Sequence, residues 1–88
     1  MKTDPRKSLL HDLKKIATPT IRAEIDKAVL AVIEARTTYD IPNLKKLKGY
    51  RIHYRIRVGQ YRIGITIEGD LVTFVRCLPR KDFYKVFP

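Results

Sequence analysis

Residues 49–66 read GYRIHYRIRVGQYRIGIT, and the alternation in this stretch decides the fold. Arg51, His53, Arg55 and Arg57 share one parity, and Ile52, Tyr54, Ile56 and Val58 the other. A strand sends successive side chains to opposite faces, so one face is cationic and the other apolar. Gly59-Gln60, between the two runs, fits a two-residue hairpin turn whose first position requires a positive φ. The return run sets Tyr61, Ile63, Ile65 and Ile67 on the apolar parity, with Arg62, Gly64 and Thr66 opposite. The hairpin therefore predicts a sheet that shows charge to a polyanion on one side and needs a cover on the other.

The segments on either side supply that cover. Asp4-Pro5 has the form of a cap followed by a proline at the first helical position. Leu9, Leu10, Leu13, Ile16 and Ala17 then fall at helical spacing, so residues 5–17 are expected to form an amphipathic helix. Thr18-Pro19 repeats the signal and starts a second helix running to about Arg36, with Ile21, Ile25, Ala28, Val29, Val32 and Ile33 as its stripe. Two helices joined so tightly make a helical hairpin with a shared apolar face. Leu44 and Leu47 anchor the approach to the strands. After a turn at Glu68-Gly69-Asp70, residues 71–78 form a third strand, apolar on both parities and stopped by Pro79. A short basic, aromatic tail follows. The order α-α-β-β-β gives an α+β fold: one domain over residues 1–88, with an N-terminal helical hairpin packed on a small antiparallel sheet.

Charge narrows the function. Nineteen Lys and Arg face nine Asp and Glu in 88 residues, a net charge of +10. From Ile41 to Ile67 there is no acidic residue, whereas Lys45, Lys46, Lys48, Arg51, Arg55, Arg57 and Arg62 all lie there. An ordinary solvated surface mixes both signs, so a one-sign tract reads as a binding surface for a polyanion. Cys77 is the only cysteine, which excludes an internal disulfide. With His11 and His53 as the only histidines, a zinc site is not expected, nor any other metal or cofactor. The absence of an 18-residue apolar run and of a signal-peptide core predicts a cytoplasmic protein without a membrane partner.

Three groups of residues carry a family likeness. They are Leu44-x-x-Leu47-x-Gly49, then Tyr54-Arg55-Ile56-Arg57-Val58-Gly59-x-Tyr61-Arg62, then Arg80-Lys81-Asp82-x-Tyr84. Together they resemble the RelE/ParE toxin superfamily, most closely its RelE-like messenger-RNA-cleaving branch. The segment from Ser8 to Ile16 is similar to that family's first helix. Two features depart from the pattern. The family opens with a strand, whereas Met1–Lys7 neither alternate nor tolerate Pro5 within a ladder. Either the chain starts late, or the sheet lacks its first strand and leaves a neighbour's edge open. Pro79 stands where many relatives carry a histidine.

The resemblance implies the toxin of a type II toxin–antitoxin system, a ribosome-dependent endoribonuclease needing no metal. Its expected partners are an acidic antitoxin in a hetero-oligomer, the ribosome and messenger RNA. Such cleavage must deprotonate a 2′-OH, stabilise the phosphorane and protonate the 5′-oxygen. The resemblance assigns Arg55, Arg57, Arg62 and Arg80 to the phosphate, with Tyr84 beside them, and a guanidinium fork suits two phosphate oxygens. Close arginines would favour a Tyr84 phenolate, or the ring could stack on a base. His53 shares the cationic parity and titrates near neutrality, so it is a candidate proton shuttle. Lys45, Lys46, Lys48, Arg51, Lys81 and Lys85 are the expected RNA-backbone contacts. The rival readings are a ParE-like gyrase inhibitor and a catalytically inactive RNA- or antitoxin-binding relative.

Overall fold

The computed structural model describes residues 1–88. The chain runs β1 (Lys2–Pro5), α1 (Lys7–Lys14), α2 (Pro19–Glu34), a 3-10 turn (Thr38–Asp40), β2 (Leu44–Lys46), β3 (His53–Val58), β4 (Tyr61–Glu68), β5 (Leu71–Pro79) and α3 (Arg80–Val86). The strands form one sheet in the order β1-β5-β4-β3-β2, so β4 is its centre. The β3–β4 hairpin keeps the register its alternation demands, from His53 opposite Thr66 to Val58 opposite Tyr61. Gly59 takes φ of 57°, the conformation the two-residue turn needs at its first position.

The apolar parity meets the helices as expected. Ile56, Ile63, Ile65, Ile67, Val72, Phe74 and Cys77 pack with Leu9, Ile16, Ile25, Val32, Ala35 and Ile41 in one buried cluster, and Tyr54 and Tyr61 lie against it. The Arg22 guanidinium of α2 donates to the Leu13 carbonyl at 3.1 Å, capping the end of α1 and tying the helical hairpin together. The first helix is shorter than residues 5–17, and Leu10, Ala17 and Ile33 are exposed instead of joining the shared face.

The N-terminus corrects the reading of Met1–Lys7. Lys2–Pro5 form a strand that pairs in parallel with Leu71–Phe74, so the family's opening strand is present and the sheet is mixed. Asp4 and Pro5 therefore cap no helix. The proline is tolerated for a geometric reason. The Lys2 and Arg6 amides donate to Asp70 and Phe74, which turns the nitrogen of Pro5 toward the open side of an edge strand. Four residues without alternation carry no period to read, and pairing with β5 decides their conformation.

Beyond Pro5 the exposed edge of β5 is finished by side chains of α1. The register slips by one residue at Gly64/Ile65, leaving Val75 unopposed in β5. The Ser8 hydroxyl donates to the Val75 carbonyl at 2.6 Å. Asp12, only 2% exposed, accepts from the Cys77 amide at 2.9 Å and from the Arg76 Nε and Nη2 at 2.8 and 3.1 Å. Arg76 is held further toward its charged form by this contact. Burial, with the Asp12 charge beside it, pushes the Cys77 thiol up to about 12.

The basic, aromatic tail, to which the sequence reading gave no conformation, is a helix. Arg80–Val86 form α3, which lies on the cationic face of the sheet. Phe83 and Phe87 are buried there. Phe87 sits directly over Gly64, where even a Cβ would come within 2.8 Å of the ring. The face that carries Arg62 and Gly64 is thus partly covered, and β4 is buried on both sides.

Candidate active site

The site is assembled at the β3–β4 turn by three neighbouring pieces of chain. Arg57 and Arg62 are direct cross-strand partners and so stand side by side on one sheet face. The Arg62 Nη1 donates to the carbonyls of Gly59 at 2.8 Å and Tyr61 at 2.9 Å. Those bonds lay the guanidinium along the turn. Its Nε and Nη2, the edge that can grip two phosphate oxygens, have no protein acceptor. The residue is 8% exposed, so its orientation is fixed by packing rather than by solvent. At the same turn the Arg80 amide donates to the Gln60 carbonyl at 2.7 Å, seating the first turn of α3 against the hairpin. Pro79 ends β5 opposite Tyr61 and serves as the residue before α3, which sets where that seat falls.

Tyr84 follows Arg80 by four residues, so the two share one side of α3. Its ring is 53% exposed and is braced edge-on by Phe83 at 5.0 Å. Arg57 and Arg80 are exposed. The two ion pairs of the chain are Arg22–Asp26 and Arg76–Asp12, so no carboxylate neutralises Arg55, Arg57, Arg62 or Arg80. The structure therefore sets Arg57, Arg62 and the start of α3 at Arg80 around one turn, with Tyr84 one helical turn further along α3.

Arg55 borders that group, and His53 lies further along the strand. Arg55 lies on the same face, opposite Gly64, and its Nη1 donates at 2.8 Å to the Asn43 carbonyl, which also accepts from the Arg57 amide at 3.3 Å. His53 is four residues from Arg57 on one strand, about 13 Å at the usual rise per residue. It is half-buried between Tyr50 and Phe87, with ring centroids 5.4 and 5.7 Å away. His53 therefore neighbours Arg55 along the face and lies away from Arg57 and the turn. Among the expected backbone contacts, Lys45 stands opposite Arg55 on the cationic face, whereas Lys46 stands opposite Tyr54 on the other parity. Lys48 and Arg51 are exposed in the β2–β3 loop, and Lys81 and Lys85 are exposed on α3.

Several positioning residues escaped the sequence reading. Asp12 is one, though a lone carboxylate at the spacing of Leu9, Leu13 and Ile16 was a usable signal. The Gly64–Phe87 contact is another, and nothing local to either residue announces it. Tyr50 is the third, visible as an aromatic within the acid-free tract.

No family model matches the chain. A curated protein of Methanocaldococcus jannaschii, toxin RelE3, is 40% identical over 87 residues, covering 93% of each chain. The toxin–antitoxin complex RelB–RelE from Methanococcus jannaschii contains a chain that superposes with a TM-score of 0.81 at 38% identity, over 97% of this chain and 99% of that one. A chain of the RelB–RelE toxin–antitoxin complex of E. coli shares the fold at a TM-score of 0.67, with 21% identity over 86% of this chain and 92% of that one. With a helical hairpin on one sheet face, arginines gathered on the other and this degree of identity along nearly its whole length, the chain belongs to the RelE family of toxins.

Proposed function

We propose that this protein is the toxin of a type II toxin–antitoxin pair and cleaves messenger RNA on the ribosome. The observation that supports the reading is that Arg57, Arg62 and Arg80 all stand at the Gly59–Tyr61 turn, unneutralised, with an exposed Tyr84 on the Arg80 side of α3. In this proposal a 2′-oxygen loses its proton and attacks the adjacent phosphorus. The bond from phosphorus to the 5′-oxygen breaks, and that oxygen takes up a proton. The products are a 2′,3′-cyclic phosphate and a 5′-hydroxyl. The guanidinium groups offset the charge gathering on the phosphorane. Tyr84 contacts the RNA next to the scissile bond, by stacking or by its phenolic oxygen. The arginines are poor bases, so much of the rate must come from the ribosome holding the 2′-oxygen in line with the leaving group.

An acidic antitoxin is the proposed partner. Two features support it: the uncompensated cationic face, and the apolar side chains of Leu10, Leu30 and Ile33 left exposed on the helices. The test is induced expression followed by mapping of messenger ends. Cuts in translated messengers that need ribosomes support the reading. DNA damage with filamentation would assign the chain to gyrase inhibition, and unaffected growth to an inactive relative. Arg57→Ala and Arg80→Ala are the informative variants, because both side chains are exposed and can be removed without opening the core.

A further inference from the structure

We propose that the β2–β3 loop carries a nucleotide-stacking subsite built on Tyr50, which holds an unpaired base of the RNA at a distance from the scissile phosphate. The inference rests on the reading of this face as an RNA surface and adds to it a second point of grip.

Tyr50 is 48% exposed between the exposed Gly49 and Arg51, so it plugs no core. Yet it is not loosely held. Its amide donates to the Leu47 carbonyl at 3.2 Å, closing a turn in which Gly49 takes φ of 84°. Its ring meets His53 at 5.4 Å with an interplanar angle of 67°, an edge contact that can cover at most one ring face. His53 leans in turn on Phe87, and Phe87 on the buried Phe83 at 5.2 Å. The tyrosine is therefore backed by a line of rings anchored under α3, with at least one flat face free of His53.

Its surroundings state what would lie on that face. Tyr50 shares a shallow, open depression with Lys46, Lys48 and Arg51, all exposed. None is in an ion pair, and the nearest stretch of sequence contains no acid. The only other apolar wall is Leu47, which is half-buried. A ligand that suits one exposed ring inside a ring of cations is flat and anionic: a nucleotide, with its base on the tyrosine and its phosphate among the lysines. His53 is about 13 Å along β3 from Arg57, so the base held here belongs to a nucleotide away from the cleaved bond. Arg55 and Lys45, opposite one another on the same face, lie on the way between the two points.

The experiment measures binding, not cleavage. Fluorescence anisotropy would compare a labelled single-stranded hexaribonucleotide with the same backbone lacking bases, with duplex RNA and with polyglutamate. Each probe is titrated with the wild type, Tyr50→Ala, Tyr50→Leu and Tyr50→Phe, after thermal melts establish that all four fold alike. A stacked base is worth about 1–3 kcal/mol, so Tyr50→Ala and Tyr50→Leu should bind the hexaribonucleotide about 5- to 150-fold more weakly. Tyr50→Phe should bind it as the wild type does, and the base-free probe should not distinguish the four proteins. Equal losses on the base-free probe, or wild-type binding by Tyr50→Leu, would overturn stacking. A loss confined to polyglutamate would assign the loop to an acidic polypeptide instead. Any of these results leaves the cleavage reading standing, since that is tested at Arg57 and Arg80.

Discussion

At Arg62, one side chain does two things that pull its test in different directions. Its Nη1 holds the Gly59 and Tyr61 carbonyls of the hairpin turn, while its outer edge is left for phosphate. Arg62→Ala should therefore lose cleavage and also lower the melting temperature, whereas Arg80→Ala should lose cleavage alone. Measuring both quantities on both variants checks the distinction; a fully stable, inactive Arg62→Ala would show that the turn does not depend on it. Asp12 is the opposite case, a charged residue whose work is entirely structural. Its carboxylate serves the Cys77 amide and the Arg76 guanidinium at once. Removing it strands a buried N–H and a partly buried cation, and Asp12→Ala should cost about 2–4 kcal/mol in urea unfolding. Cys77 supplies a pH prediction. Burial raises its folded-state value from the ordinary thiol value of 9.0 to about 12. A thiol whose folded value is raised stabilises the fold below the unfolded value and loses that contribution as pH rises through the folded one. Stability should thus fall between pH 9 and about 12, and Cys77→Ala should flatten the fall. The native thiol should also resist alkylation at pH 8 until the protein is unfolded.

The C-terminal helix α3 shows where elements override local pattern. It brings Arg80 and Tyr84 to the hairpin turn only because Phe83 and Phe87 sink into the cationic face, and Phe87 can do so only because residue 64 lacks a side chain. Gly64→Ala forces the ring away and should cost about 1–3 kcal/mol, with RNA cleavage falling further than stability predicts. Equal cleavage and an unchanged melting temperature would mean that α3 is not held at Gly64. The β3–β4 hairpin was legible in the sequence because its period of two runs unbroken through Arg51–Val58 and Tyr61–Ile67. The second helix was legible from its stripe. β1 was not, because four residues at a sheet edge have no period and owe their conformation to β5. Nor was α3, because a seven-residue helix takes its stability from a face it meets only after folding. The resemblance grouped Arg55, Arg57, Arg62 and Arg80 with Tyr84, but did not show the contacts that hold them. Parity placed Arg55, Arg57 and Arg62 on one face, and only the folded chain shows that Arg55 is pinned to the Asn43 carbonyl beside the Arg57 amide while Arg62 is pinned to the turn.

The whole molecule divides its labour between two faces. The helices fill one side of the sheet with apolar contacts, and the other keeps a field of cations around a turn, a short helix and a loop. A net charge of +10 gathered in this way should make RNA binding steeply dependent on salt. For contacts with about five phosphates of a single strand, the logarithmic slope should be about −3 to −4, and a slope near zero would contradict the electrostatic reading. The central claim is more local: Arg57 and Arg80 act on the same phosphate. Single-turnover cleavage of ribosome-bound messenger by Arg57→Ala, Arg80→Ala and the double variant tests it most directly. Each single change should slow cleavage about 10²–10³-fold, and the double should lose clearly less than the product of the two, because groups serving one transition state are coupled. Two single variants that cleave at the wild-type rate, or losses that simply multiply, would contradict a shared phosphate.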